Sequence, residues 1–408
     1  MNRVTSKFIA LAVVLLCGAP AFPQTPAYDR YGGWLELQGE RTGFFHTQFI
    51  KGRWWFVTPD GNAFLSKGVC HINWHTERPG SPPAAPADPV AWAKVTARQL
   101  RGWNFNTAAA WAEPEFAGAE IVCAPVLDLA GGADPDDLWL NRKIYDVFDP
   151  SAPAALEEIA RKHIGTMASN PWVLGYFIDN ELHWGAEWNS QESLLEMYLK
   201  LPKSSAGWKR ASAFLAERGV TATTMKTIDK DAFQELVASE YGRLTRDAIR
   251  KVDKVHLILG CRFAGYAPDP VLRGVAKYFD VISYNNYDDE APLDMLRHMT
   301  EITGRPVMIT EFSFKAMDSR LPNTKGAGRP VATQLERADH FERYVTALMT
   351  LPGCLGFHWF QYFDQPETGR AIDGENSNFG VVNIDGTPWN TLTERMKLVN
   401  GRLEQRAP

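Results

Sequence analysis

Cysteine is scarce in this chain, with five in 408 residues: Cys17, Cys70, Cys123, Cys261 and Cys354. None sits in a CxxC pair, which excludes the common zinc spacings. The last four lie in or beside separate apolar runs, far apart in sequence, and read as free buried thiols rather than a disulfide framework. An excess of one charge is also missing. Lys and Arg number 43 against 48 Asp and Glu, a net charge of −5, so no partner such as nucleic acid or an anionic membrane is expected. His71, His75, His183 and His358 stand on different segments with no HxH or HExxH spacing, so neither a catalytic metal nor any other cofactor is expected. There is no internal repeat and no low-complexity tract. No apolar run is long enough to span a bilayer.

What is present begins with a leader. Arg3 and Lys7 precede the apolar stretch from Phe8 to Leu16, and Ala19-Pro20-Ala21 follows as a small-x-small site. That pattern is a signal peptide over residues 1–21, and it predicts a periplasmic or secreted mature protein. Leu16 stands where a lipidated Cys17 would need a small residue, which disfavours a lipoprotein.

Beyond the leader, short apolar runs alternate with longer helical patterns, the signature of parallel βαβ units. Eight runs qualify as strands: 63–70, 105–108, 120–127, 173–178, 255–259, 281–284, 306–310 and 355–360. Eight is the number that closes a (β/α)8 barrel, so the fold class is α/β, with residues 59–400 as the barrel. Ahead of it, over 22–58, Gly43 to Ile50 and Arg53 to Val57 alternate around Lys51-Gly52 and read as a β-hairpin closing the bottom of the barrel. The stretch 189–228 exceeds an ordinary crossover and reads as an insertion on the active-site side. The acidic runs Asp134-Pro-Asp-Asp137 and Asp288-Asp-Glu290 read as solvated loop tips.

Two strands end in carboxylates. Val173-Leu-Gly-Tyr-Phe-Ile-Asp-Asn-Glu181 and Pro306-Val-Met-Ile-Thr-Glu311 are apolar runs that finish in acid, which is costly for a buried segment unless the acid has a role. In a barrel the catalytic groups project from the carboxyl ends of the strands. The other ends offer Asn73 (with His71 and Trp74), Trp111 (with Glu113), Asp128, and His183 and Trp184. The later strands add Arg262, Tyr284, Asn285, Tyr287, His358, Trp359 and Gln361. Glutamates ending strands four and seven can face each other at about 5 Å, the separation used by retaining glycosidases. The 14 tryptophans suit either core filling or stacking against sugar rings.

At this point the chain resembles the retaining glycoside hydrolases of clan A, and most closely the family-50 β-agarases. The residues that carry the likeness are Asn180-Glu181, Glu311 and Trp359, with Gly52-Arg-Trp-Trp-Phe-Val-Thr-Pro-Asp-Gly61, Gly175 to Gly185 and Asn378-Phe-Gly-Val-Val-Asn383. The resemblance implies that Glu181 is the acid/base, with Asn180 at the sugar 2-hydroxyl, and that Glu311 is the nucleophile. It further implies that Tyr284 or Tyr287 hydrogen-bonds the nucleophile, that Trp359 is the platform under the reacting sugar, and that Arg262 binds sugar or orients the nucleophile. Only residues 22–62 separate the leader from the first barrel strand, so the carbohydrate-binding module usual in that family is expected to be missing. The expected partner is a carbohydrate, an agarose-like or other β-linked galactan. A β-galactosidase, mannanase or glucanase specificity remains open, as does a non-catalytic sugar-binding barrel. The sugar, the choice between chain-end and internal attack, and the oligomeric state are not legible.

Overall fold

The computed structural model describes residues 27–74, 86–132, 139–140, 144–186 and 191–407. The leader, His75, the acidic run at 134–137 and the first residues of the 189–228 stretch lie outside the described residues.

The N-terminal segment forms an antiparallel sheet of four strands, one pair more than the expected hairpin. Its strands are β1 (Trp34–Gln38), β2 (His46–Ile50), β3 (Arg53–Val57) and β4 (Asn62–Phe64), in the order β1-β4-β3-β2. The expected boundary at residue 58 therefore falls inside this sheet, and the run at 63–70 splits at Leu65 between β4 and β5 (Ser66–Val69).

From β5 onward the pairing is parallel. β5 is flanked by β6 (Thr107–Ala108) and by β13 (Cys354–Trp359), and β6 pairs with β7 (Val122–Cys123). Bridges at Cys123 with Val173 and Val126 with Phe177 lead on to β8 (Gly175–Tyr176), which pairs with β9 (Leu257–Ile258). The same segment continues as β10 (Phe263–Ala264), which pairs with β11 (Ile282–Asn285). β11 then pairs with β12 (Val307–Phe312), and β12 with β13. All eight sequence-expected strand positions carry parallel pairing, and the pairings return to β5.

Helices fill the crossovers. α1 (Pro89–Gly102) starts where the Asp88 side chain accepts from Ala91 N, with Pro at the first helical position, and it buries Ala93, Thr96, Ala97 and Leu100 on one stripe. α2 (Ala152–Ile164) leads into β8. The expected insertion contains α3 (Leu194–Leu199), opened by a Ser193/Glu196 capping box, and α4 (Ala206–Glu217). α5 (Thr227–Val252) is the long crossover that buries Phe233, Val237, Tyr241, Leu244 and Ala248 at helical spacing. α6 (Asp269–Val275), α7 (Leu293–Thr303) and α8 (Gln334–Leu348) precede β11, β12 and β13, and α9 (Asn390–Asn400) and α10 (Leu403–Arg406) follow. No helix among the described residues is long and apolar enough to cross a membrane.

Two apolar clusters result. One lies between strands and helices; the other joins Leu174, Leu257, Val281, Met308 and Leu355 of the strand segments to Tyr31, Phe45, Phe56 and Phe64 of the N-terminal sheet. The sheet thus covers the amino ends of the parallel strands. Arg53 locks it there, donating from a fully buried guanidinium to Met349 O at 3.0 Å and Cys354 O at 2.8 Å. Cys70, Cys123, Cys261 and Cys354 are free and buried.

Candidate active site

The opposite, carboxyl ends of the strands open on a cleft of about 820 Å³. Its walls include His71, Trp111, Asn180, Glu181, Asn285, Tyr287, Glu311 and Phe360, with Arg370 to Asp373 and Glu375 from the segment after β13. The backbone there is unusual. His71, Trp111, Asp128, Glu181 and Arg262, the residues that end five successive strand segments, all have left-handed φ between 47° and 59°. Each costs a non-glycine residue about 1–2 kcal/mol, and such strain clusters where side chains must be aimed at a ligand.

Glu311 is nearly fully buried near the end of β12. Its Oε1 accepts from Arg262 Nη2 at 2.7 Å, and its Oε2 accepts from Tyr287 Oη at 2.7 Å. Arg262 is itself buried, donates to Thr310 O at 2.8 Å, and lies 4.4 Å from the centre of the Trp111 ring. Burial pushes the Glu311 carboxyl up to about 7. The charges of Glu181 and Glu375 push the same way, while Arg262 and the Tyr287 hydroxyl pull it down.

Glu181 is less enclosed. Asn285 Nδ2 donates to its Oε1 at 2.8 Å and to Asn180 Oδ1 at 3.2 Å. Asn285 Oδ1 accepts from Thr310 Oγ1 at 2.8 Å, so this amide is held between the segments that carry the two glutamates. One carboxyl is almost fully buried and held by a cation and a phenol; the other is partly exposed and, among the described residues, accepts from the Asn285 amide. Two carboxyls in unlike environments facing one cleft can divide nucleophilic and acid/base work.

Several sequence-expected residues fall elsewhere. Trp359 is fully buried on the helix side, its indole donating to Phe379 O at 2.9 Å and its ring against Phe312 and Phe341. Phe360, one residue on, lines the cleft in its place. Tyr284 packs in the outer apolar cluster, and Tyr287 is the tyrosine on Glu311. His358 lies inside the strand ring, with Nε2 2.9 Å from Ser66 Oγ; burial and Arg262 lower its pKa to about 3, so it is neutral. Gln361 is buried and donates to Phe363 O at 2.7 Å. Trp184 packs on Tyr241 and Phe263 in the core. His183 is half-buried and is not part of the cleft wall. Asn73 stands behind the wall, donating to Trp111 O at 3.3 Å. Asp179 turns away from the cleft to accept from Ala130 N and Tyr241 Oη, each at 2.7 Å.

The structure adds Phe360 and the 370–375 wall to the expected set. Phe360 adjoins an expected residue at a strand end. The wall carries no local sequence signal, because its place in the cleft depends on distant contacts such as Ser377 with Lys325 and Asn378 N with Asn323 Oδ1 at 2.8 Å.

Comparison with known proteins follows the same lines. No family model matches the chain. It is 28% identical to Beta-agarase B of Vibrio sp. (strain JT0107), covering 92% of this chain and 50% of that protein. It is 26% identical to Beta-agarase A of the same organism, covering 86% and 44%. The chain thus spans about half the length of these curated relatives. Among solved structures, an agarase, AgWH50C, superposes with a TM-score of 0.80 at 26% identity, covering 94% of this chain and 67% of that one. An exo-beta-agarase structure shares the fold, with a TM-score of 0.81 at 22% identity over 93% of this chain and 67% of that one. Along most of its length the chain is similar to glycoside hydrolases named as agarases.

Proposed function

We propose that this chain is a secreted glycoside hydrolase with a (β/α)8 barrel that cleaves β-glycosidic bonds with retention. The observation that carries the reading is the unequal pair of glutamates on one cleft: Glu311 gripped by Arg262 and Tyr287, and Glu181 at the mouth beside Asn285. In the first step Glu311 Oε attacks the anomeric carbon while Glu181 protonates the departing glycosidic oxygen. In the second, Glu181 takes a proton from water, which attacks the same carbon and frees Glu311. Arg262 and Tyr287 hold the Glu311 carboxylate in one orientation, so attack requires no side-chain search. The likeness to two proteins named beta-agarases supports a β-linked galactan of the agar type as substrate.

The test is hydrolysis of agaro-oligosaccharides and aryl β-galactosides by the wild type, Glu181→Gln and Glu311→Gln. Each substitution should lower kcat by about 10³-fold or more. Azide added to Glu311→Ala should yield the α-glycosyl azide, and azide added to Glu181→Ala the β-azide. The β-azide from Glu311→Ala, or full activity in either glutamine variant, would remove the assignment.

A further inference from the structure

A second opening lies at the other end of the strands. It is a groove of about 310 Å³ between Phe49 and Trp54 of the β2–β3 hairpin, one face of α7, and the turn from Leu351 to Gly353 that leads into β13. Val307, the first residue of β12, lines it. Glu311 of the same strand lines the active-site cleft, so about 13 Å of strand separates the two openings.

One exposed phenylalanine is ordinary, but Phe49, 57% exposed, stands against a second ring. Its centroid is 5.7 Å from that of Trp54 and the planes meet at 72°, so the rings form two faces of a corner. Trp54 is half-buried, and among the described residues its indole N–H makes no hydrogen bond. Glu301, exposed on the α7 wall, has no hydrogen bond or ion pair among them either. β2 is the edge strand of its sheet, so its outer backbone groups lack a strand partner. An apolar corner beside a free donor and free acceptors complements a sugar ring, which has an apolar C–H face and hydroxyls along its edge.

The corner is fixed in advance. Trp54 N donates to Pro352 O at 2.8 Å, and the buried Arg53 guanidinium ties the same strand to Met349 O and Cys354 O. Little ordering is then left for binding to do. Size selects the occupant. The volume is at the low end for a small-ligand pocket, whereas a stable protein interface takes about 800 Å² from each partner. No apolar patch of that extent continues from Phe49, since Leu35, the other exposed large apolar side chain of the sheet, is on β1 at the opposite edge.

We infer that this groove is a second glycan-binding site, in which Phe49 and Trp54 pack on a sugar ring while Trp54 Nε1 donates to its hydroxyls and Glu301 accepts from them. The sugar belongs to a stretch of polysaccharide outside the cleft, so the groove holds the enzyme on a polymer while the cleft turns over. The choice of an agar-type galactan rests on the hydrolase reading above. The experiment measures retention on agarose beads by Glu181→Gln, alone and combined with Phe49→Ala or Glu301→Ala. In parallel, kcat/KM on a soluble agaro-tetraose is measured for wild type, Phe49→Ala and Glu301→Ala. Both substitutions are at exposed positions, and thermal melts check that the fold is kept. The dissociation constant for the beads should rise about 3–10-fold in each variant, while kcat/KM on the soluble sugar stays at the wild-type value. If nothing is hydrolysed but retention depends on Phe49, the hydrolase reading falls and this inference stands. Retention that Phe49→Ala leaves unchanged, or no retention at all, overturns the inference, and cleavage of the soluble sugar then still supports the hydrolase reading. An equal loss on the soluble sugar would place the effect at the cleft and overturn it too. So would a dimer, seen by sedimentation velocity, that Phe49→Ala dissolves, because the groove would then be taken by a second copy of the chain.

Discussion

Tyr287 stands two residues beyond β11 and donates its phenolic hydrogen to Glu311 Oε2 at 2.7 Å, opposite the Arg262 bond to Oε1. Between them the two donors take one position on each oxygen of the carboxylate. Tyr287→Phe removes a hydrogen bond to a charged acceptor, worth about 1.5–3 kcal/mol, without changing the packing volume much. We expect kcat to fall by about 10–100-fold with little change in melting temperature. Steady-state kinetics beside a thermal melt would check this, and a variant with wild-type kcat would refute the role.

The ionisation of Glu311 gives a pH signature. Its folded-state value of about 7 lies above the ordinary 4.5, with burial the leading cause. If the carboxylate is the reacting form, kcat/KM should rise as pH climbs through about 7. Because the Tyr287 bond favours the ionised form, Tyr287→Phe should move that acid limb to higher pH. The stability effect has the opposite sense. A raised carboxyl contributes stability that is present below 4.5 and lost as pH rises through 7. Denaturation midpoints should therefore drop over that window in wild type and drop less in Glu311→Gln.

Arg262 and Glu311 form an ion pair whose side chains are 0% and 6% exposed. Removing one partner leaves a buried charge unpaired, so Arg262→Met should lower unfolding free energy by about 3–5 kcal/mol. Adding Glu311→Gln to that background should restore part of the loss. Urea denaturation of the two single variants and the double variant measures the coupling, and strict additivity would contradict the pairing.

Phe360 takes the place on the cleft that the resemblance assigns to Trp359. Phe360 lines the cleft, whereas Trp359 is packed against Phe312, Phe341 and Arg337. Phe360→Ala should raise KM about tenfold with a modest stability change, since it removes a face against which a sugar ring can pack. Trp359→Ala should cost about 3–5 kcal/mol of stability. Measured KM and unfolding midpoints that follow the reverse pattern would overturn this placement.

These two residues also mark how far the sequence could be read. The eight strand positions were legible because strands buried on both faces are continuous apolar runs, and the acids ending two of them interrupt such runs visibly. Facing was less legible. A one-residue offset turns a strand side chain to the opposite face, and register shifts occur between Tyr284 and Asn285 and between Ile309 and Phe312. Trp359 and Tyr284, the alternative to Tyr287, stand at those irregular ends and face away from the cleft, whereas Glu311 and Arg262 meet there in one ion pair. His183 and Trp184 follow Glu181 after a single leucine, Leu182, yet the turn carries Trp184 into the core. The 370–375 wall had no periodic pattern to reveal it.

Glu404 in α10 accepts from Lys67 Nζ at 2.6 Å and from Tyr28 Oη at 2.9 Å, a buried junction linking residues 337 and 376 positions apart. Lys67 belongs to β5, the strand where the ring of pairings begins and ends. In folding, the lysine lacks its counter-charge until a segment 337 positions further along has docked. Closing so long a loop is entropically slow, so the chain passes through states in which β5 and its neighbours are incompletely sealed. Such a chain would gain from chaperone protection during folding, and shaving a few residues from α10 would reopen the first of the parallel strands.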